Sequence, residues 1–340
     1  MNQVSTIGLD LAKTVFQVHG VDDAGNVVVR RQLRRGEVLK FFRKLPHCLV
    51  GMEACASAHY WGREIAALGH EVRLMPPPRV KAYVKWGKKN DAADAAAIAE
   101  AVTRPSMRFV PIKAVEQQSV LMLHRSRKLL VEQRTRLANA LRAHLAEFGV
   151  ISAVGEAGFA AALAVVDNAE DRRLPALARH ALAPLAAQWR AATEQIDALD
   201  RRIVDWHKGD ADSRRLATIP HIGPLIASTL AATIGDPARF TNGRNFAAWL
   251  GLVPSQNSTG GKQCLGGITK AGDRYVRQLL VLAAFGTIRR VRKDAGVCPW
   301  LAALLKTKAP KEAAIAYANK LARIAWAILA KQTDYQAAAA

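Results

Sequence analysis

The segment Ser5-Thr6-Ile7-Gly8-Leu9-Asp10-Leu11-Ala12-Lys13-Thr14-Val15-Phe16-Gln17-Val18 constrains the chain more than any other. It reads as a strand, a turn and a second strand. It carries an acid, Asp10, into a stretch whose apolar neighbours demand burial. A carboxylate leaves water at a high cost unless a cation or hydrogen-bond donor receives it. Either Asp10 serves a turn between strands, or other groups converge on it. Three downstream acids offer that convergence: Glu53, Asp91 and Asp94.

Residues 1–110 alternate β and α. Val4–Leu9, Val15–Val21 and Val27–Leu33 read as strands, the last two joined by the turn Asp22-Asp23-Ala24-Gly25-Asn26. Glu37–Leu45 reads as a helix, with Leu39, Phe42 and Leu45 on one face. A fourth strand, Cys48–Met52, ends at Glu53. A helix over Ala56–Leu68 closes at Gly69, and a fifth strand, Glu71–Met75, stops at Pro76-Pro77-Pro78. After a basic segment, Asp91–Thr103 is an Ala-rich helix. Three meandering strands, then helix, strand, helix, strand, helix, is the order of a ribonuclease-H-like α/β fold. That fold needs carboxylates on the first strand, at the end of the fourth and on a late helix, where Asp10, Glu53, Asp91 and Asp94 stand.

Asp91 and Asp94 are one helical turn apart and share a face. Taken singly, each has a plain structural role: Asp91 as a helix N-cap and Asp94 as a first-turn acid favoured by the helix dipole. Four carboxylates in one pocket are stable together when divalent cations lie between them, and hard oxygen donors select Mg²⁺ or Mn²⁺. Two such ions form the usual clamp for phosphodiester chemistry.

The charge balance points the same way. The 340 residues carry 49 Lys and Arg against 28 Asp and Glu, a formal net charge of +21. A polyanion partner is the commonest reason for such an excess, because each cation placed near a phosphate releases counterions. One basic run is Arg30-Arg31-Gln32-Leu33-Arg34-Arg35; a solvated face explains it equally well. The second, Arg79, Lys81, Lys85, Lys88 and Lys89, has Tyr83 and Trp86 interleaved, as suits a nucleic-acid backbone with a stacked base. The four cysteines (Cys48, Cys55, Cys264, Cys298) form no CxxC pair or zinc spacing and read as reduced thiols of a cytoplasmic protein. No signal-peptide pattern and no membrane-length apolar run is visible.

Residues 112–148 form a basic amphipathic helix, followed by an Ala-rich region, 150–183, broken near Asp167-Asn168 and Pro175. Pro184 opens the next helix, Leu185–Val204, and the two long helices suit an antiparallel coiled coil. These elements set domains at 1–110, 111–209 and 210–335, with a short tail at 336–340. From Arg214 to Lys331 there are 18 Lys and Arg against four acids. Leu216–Ala232 carries Ile219-Pro220-His221-Ile222-Gly223-Pro224 between helical turns and looks like a helix-hairpin-helix, with His221 as a turn residue. A short helix over Phe246–Leu250 leads to Gly251-Leu252-Val253-Pro254. The polar loop Ser255–Lys262 and the segment Gly266–Arg277 precede an apolar helix, Leu279–Ile288. A loop rich in Ser, Gly and Lys is usually a plain loop; framed by Lys262, Lys270, Arg274 and Arg277, a serine hydroxyl here could instead act as a nucleophile on phosphorus.

These residues resemble the IS110 family of insertion-sequence transposases, more narrowly its IS1111 subgroup. The front of the resemblance rests on Ile7-Gly8-Leu9-Asp10-Leu11-Ala12-Lys13, Gly51-Met52-Glu53-Ala54 and Lys88-Lys89-Asn90-Asp91-Ala92-Ala93-Asp94-Ala95. The back rests on Ile219–Gly223, Trp249–Pro254, Ser258-Thr259-Gly260-Gly261-Lys262 and Gly267–Arg277. It covers almost the whole chain. It implies an N-terminal RuvC-like domain with a DEDD metal site (Asp10, Glu53, Asp91, Asp94) and a C-terminal transposase domain with a catalytic serine, joined by a coiled coil. Counting back from Thr269-Lys270 puts the serine at Ser258; counting forward from Pro254 lands on Thr259, and Ser258 is preferred. The resemblance further implies Mg²⁺ or Mn²⁺, DNA substrates, a structured bridge RNA as guide, homodimers or homotetramers, and a nucleoid-associated place in the cytoplasm. Three other readings compete. A RuvC-type hydrolytic junction nuclease uses the same tetrad without the serine. An actin-like kinase fits Gly8–Thr14 but lacks a second glycine-rich phosphate loop. A non-catalytic nucleic-acid binder leaves four converging acids unexplained.

Overall fold

The computed structural model describes residues 3–84 and 90–336, which fall into two compact units, Met1–Val115 and Glu116–Ala340. In the first, β1 (Thr6–Asp10), β2 (Val15–Val21) and β3 (Val27–Arg34) form an antiparallel meander. After α1 (Val38–Phe42) comes β4 (Leu49–Glu53), parallel to β1. After α2 (Ala58–Ala66) comes β5 (Glu71–Met75), parallel to β4. The sheet order is β3-β2-β1-β4-β5, with β1 at the centre. The short α3 (Pro77–Val80) and then α4 (Asp91–Val102) complete the unit. The sequence places all five strands of this unit; the first is displaced, because Val4 and Ser5 precede the ladder and Asp10 is its last residue.

Two layers cover the sheet, and the two-residue period of β1 divides its side chains between them. Ile7 and Leu9 enter the cluster built by Phe16, Val50, Met52, Trp61 and Ile65, where Phe16 and Trp61 meet edge to face with centroids 5.2 Å apart. Gly8 and Asp10 face the other layer, which is α4. A Cβ on Gly8 would lie 2.1 Å from the Ala95 carbonyl oxygen and 2.5 Å from the Ala99 nitrogen, and one on Gly51 would lie 2.7 Å from Val102 Cβ. A glycine at each of these strand positions lets the helix lie this close on the sheet, Gly8 opposite Ala95 and Ala99 and Gly51 opposite Val102. The alanines of α4 serve that approach, since Ala95, Ala97, Ala99 and Ala101 are all buried.

The second unit is helical apart from one hairpin. Its long helices are α5 (Val115–Ala146) and α7 (Ala176–Gly209), with α6 (Glu156–Asp167) between them. They run antiparallel: Arg127 pairs with Asp200, Trp206 donates to Glu116, and Leu141 and Leu145 share a cluster with Leu182 and Ala186. Pro184 does not open this helix, contrary to the sequence expectation. It lies inside α7, whose N-cap is Pro175. Leu182 and Ala186, on either side of it, are buried, and this packing carries the helix through the proline. The helices α8 (Ala211–Ala217) and α9 (Pro224–Ile234) are joined by a turn in which His221 takes φ 71°. Then come α10 (Gly243–Trp249), β6 (Pro254–Gln256), β7 (Leu265–Ile268), α11 (Arg274–Val291), α12 (Pro299–Leu305) and α13 (Pro310–Lys331). The segment read as an open polar loop is thus an antiparallel hairpin, and α11 starts at Arg274, five residues ahead of the apolar run, because Asp273 caps it. Phe246, Leu250, Leu280, Ala284, Leu321 and Ala325 form the centre of this unit's core. Among the described residues no helix is long and apolar enough to cross a membrane.

Candidate active site

The carboxylate cluster follows from the packing of α4 on β1. Asp10 shares the helix-facing side of β1 with Gly8. Glu53 shares the same side of β4 with Gly51, and the parallel register (Leu9 beside Met52) sets the two acids at neighbouring strand ends. Asn90 caps α4 by accepting a bond from the Ala93 N–H at 2.8 Å, so Asp91 is the first helical residue rather than the cap. Asp91 and Asp94 then lie on the face that carries Ala95, Ile98 and Val102 onto the sheet. Carboxylate oxygens of Asp10, Asp91 and Asp94 come within 4.8 Å of one another.

The electrostatics of the cluster are those of crowded like charges. Burial first, and then Asp94 and Asp91, push the Asp10 carboxyl up from its ordinary 3.8 to about 6. Glu53 is raised by burial and then by Asp10 and Asp94, which ties it to the same cluster. Among the described residues no Lys or Arg forms an ion pair with any of the four. Oxygen-only donors and mutual repulsion fit a hard divalent cation.

Ser258 belongs to the second unit. The strands β6 and β7 pair through Gln256 and Leu265, the Asn257 N–H donates to the Cys264 carbonyl at 2.9 Å, and Thr259 bridges to Lys262. Gly260 (φ 56°) and Gly261 (φ 76°) make the tip, a two-residue turn that requires left-handed backbone at both positions. The exposed Ser258 hydroxyl accepts a bond from Gln256 Nε2 at 2.9 Å and lies 3.4 Å from the Cys264 N–H. Thr259 is also exposed and starts the turn.

The hairpin is fixed at its base. A Cβ on Gly251 would lie 2.3 Å from the Ala271 nitrogen, and one on Gly272 would lie 2.1 Å from the Trp249 oxygen. Arg277 Nη1 donates to the carbonyls of Leu250 at 2.8 Å and Ala271 at 2.7 Å. Arg277 therefore secures this junction. Lys262 at the tip, Lys270 at the base with φ 56°, and Arg274 in the first turn of α11 are exposed. In the first unit Arg79 and Lys81 are exposed after β5, while Lys85, Trp86, Lys88 and Lys89 lie outside the described residues. His221 is a turn residue whose Nδ1 is 3.4 Å from Arg290 Nη1.

Sequence reasoning did not single out Gly8 and Gly51 as the positions that allow the carboxylates to meet, or Gln256 as the partner of Ser258. The alanine repeat of α4 was the available signal for the first. Nothing in the sequence marked the second.

Two family models match the chain. Residues 7–149 match a family described as a transposase of DEDD IS110 type, and residues 213–296 match the family described as Transposase IS116/IS110/IS902. A probable family 20 transposase from Pseudomonas aeruginosa is 50% identical over 98% of this chain and 99% of its own length. The transposase for insertion sequence element IS1328 from Yersinia enterocolitica is 39% identical over 98% of this chain and 99% of its own. That for IS1111A from Coxiella burnetii is 37% identical over the whole of this chain and 93% of its own. With an acidic α/β unit at the front, a serine-bearing hairpin behind it and relatives matched along their full length, this chain belongs to the IS116/IS110/IS902 family and is a DNA transposase.

Proposed function

We propose that the chain cuts and rejoins DNA through a serine–DNA ester, with Asp10, Glu53, Asp91 and Asp94 holding Mg²⁺ or Mn²⁺ in a RuvC-like domain. The observation that carries this reading is the cluster itself: carboxylate oxygens of Asp10, Asp91 and Asp94 within 4.8 Å of one another, beside Glu53, whose carboxyl the same acids raise. The sheet order β3-β2-β1-β4-β5 is that of a ribonuclease-H-like fold and supports it. A divalent cation bound there supplies Lewis-acid polarisation of the scissile phosphate.

Ser258 is the nucleophile. Its oxygen bonds to phosphorus, the phosphodiester P–O bond breaks, and the serine proton leaves with the departing deoxyribose hydroxyl. Reversal with a different hydroxyl reseals the strand without net hydrolysis. The Gln256 amide orients the Ser258 hydroxyl by donating to it, which leaves a lone pair free for attack. Lys262, Lys270 and Arg274 neutralise the phosphate, and Arg79, Lys81, Lys85, Trp86, Lys88 and Lys89 contact nucleic acid. The +21 charge suits a polyanion partner, and the family resemblance adds a structured guide (bridge) RNA beside DNA, a homodimer or homotetramer, and a place in the cytoplasm.

The test is a denaturing gel of protein incubated with Mg²⁺, element-end DNA and RNA transcribed from the element's flank. A covalent protein–DNA band is expected, lost on Ser258→Ala, kept on Thr259→Ala and lost on Asp10→Ala. Cut DNA without that band would show a hydrolytic nuclease of RuvC type instead.

A further inference from the structure

Behind the hairpin lies a groove of about 1330 Å³ that the site above does not use. One wall is β7, where Gly266 and Gly267 present bare backbone, and the other is the outer face of α13. Arg244, Lys308, Lys320 and Arg323 line it against one acid, Glu312. Among the described residues none of these four cations forms an ion pair with a carboxylate. Trp300 stands at the groove with 42% of its surface exposed, unusual for an indole, and Lys320 Nζ lies 4.3 Å from its ring centroid.

We propose that this groove binds a single strand of DNA, with a base stacked on Trp300 and the backbone on Lys320, Arg323 and Arg244. The volume exceeds the roughly 300–1,000 Å³ of small-molecule sites and suits a run of polymer. An aromatic flanked by cations on a continuous wall is the pattern of single-strand binding, because every base has a stacking face and every link carries a charge. DNA is the strand in question because β7 leads directly from the Ser258 hairpin into the groove, so a strand cut at the hairpin continues along it. The proposal rests on the reading of that hairpin as the cutting site.

The test measures binding of fluorescein-labelled oligothymidylate, with oligouridylate as comparison, to full-length Ser258→Ala protein in chelator, so that no catalysis is needed. Trp300→Ala weakens oligothymidylate about tenfold, the scale of one lost base–aromatic stack, while Trp300→Phe keeps most of the affinity. Lys320→Gln with Arg323→Gln, both outside the core, lowers the slope of log affinity on log salt by about 1.4, at ~0.7 per phosphate contact. An oligonucleotide carrying 5-iododeoxyuridine crosslinks to the peptide containing Trp300. Unchanged DNA affinity and slope, or a loss larger on oligouridylate than on oligothymidylate, overturns the proposal. Thermal unfolding of each variant excludes misfolding as the cause. Absence of the covalent band with this binding intact would remove the serine reading alone; the reverse pattern would remove the groove alone.

Discussion

Replacing Asp10 with Asn is expected to stabilise the metal-free protein while abolishing its chemistry. Burial beside Asp94 and Asp91 raises the Asp10 carboxyl from 3.8 to about 6. The ionised form is therefore the disfavoured one in the folded chain. The associated stability is fully present below pH 3.8 and is lost as pH rises to about 6. At ~1.4 kcal/mol per tenfold, that interval corresponds to a ceiling of about 3 kcal/mol. Solvent reaches part of the carboxylate, so about 1–2 kcal/mol is the expected cost at neutral pH. Asparagine keeps the shape and removes the charge. In chelator at neutral pH, Asp10→Asn should raise the melting temperature of the first unit by about 4–8 °C, the scale of 1 kcal/mol in a domain of this size. Saturating Mg²⁺ should reverse the order. At a hundredfold excess over Kd it stabilises the parent by about 2.7 kcal/mol, and the variant, short of one ligand, gains less. Calorimetry with and without Mg²⁺ decides the matter. A variant that melts below its parent in chelator, or that gains as much from Mg²⁺, would refute the argument.

Other residues give independent checks. Gly8→Ala sets a Cβ against backbone atoms of α4 that no rotamer change can move. It should cost about 1–3 kcal/mol and, by shifting Asp91 and Asp94, abolish metal-dependent cleavage; parent values for both melting and cleavage would contradict the packing account. Arg277→Ala should lower stability by about 1–3 kcal/mol through two carbonyls left without their donor, whereas Arg274→Ala should leave melting unchanged and flatten the salt dependence of DNA binding. His124 is fully buried beside Ser228 and Thr229, and burial holds its imidazole down at about 4. The stability of the second unit should therefore be lost as pH falls from 6.5 toward 4, and His124→Gln should flatten that arm of the melting profile. Pro184→Ala restores a helix N–H on the exposed side of α7 and should stabilise the chain by about 1–3 kcal/mol in denaturant titration.

How much of this was legible beforehand depended on whether a pattern was local. The five strands of the first unit are short apolar runs punctuated by Gly, Asp-Gly-type turns and prolines, and their order is visible in the chain. The meeting of Asp10 with Asp91 and Asp94 joins positions some eighty residues apart, and no periodicity encodes that contact. Strand order and the family resemblance are what point to it. The physical cause is legible only in the structure, in Gly8 opposite Ala95 and Ala99 and Gly51 opposite Val102. Pro184 was misjudged because a proline's local cost argues for a helix start, while the buried Leu182 and Ala186 on either side of it settle the question through tertiary packing. The Ser258 loop was misjudged for the opposite reason. Its strands, Pro254-Ser255-Gln256 and Leu265-Gly266-Gly267-Ile268, are short and mostly exposed, so they lack the alternation that reveals a strand. What makes them a hairpin is Gly260-Gly261 at the tip and the interlocked Gly251 and Gly272 at the base. Arg277 shows the same limit on a charged residue. A cation in a basic segment reads as a phosphate contact, and the structure adds a second role that the sequence does not mark: Nη1 of Arg277 donates to two main-chain carbonyls at the base of the hairpin. In both units the proposed reactive groups are exposed or half-buried, and the residues that position them include glycines and half-buried side chains. A substitution that leaves every acid and the serine intact can therefore still remove the site.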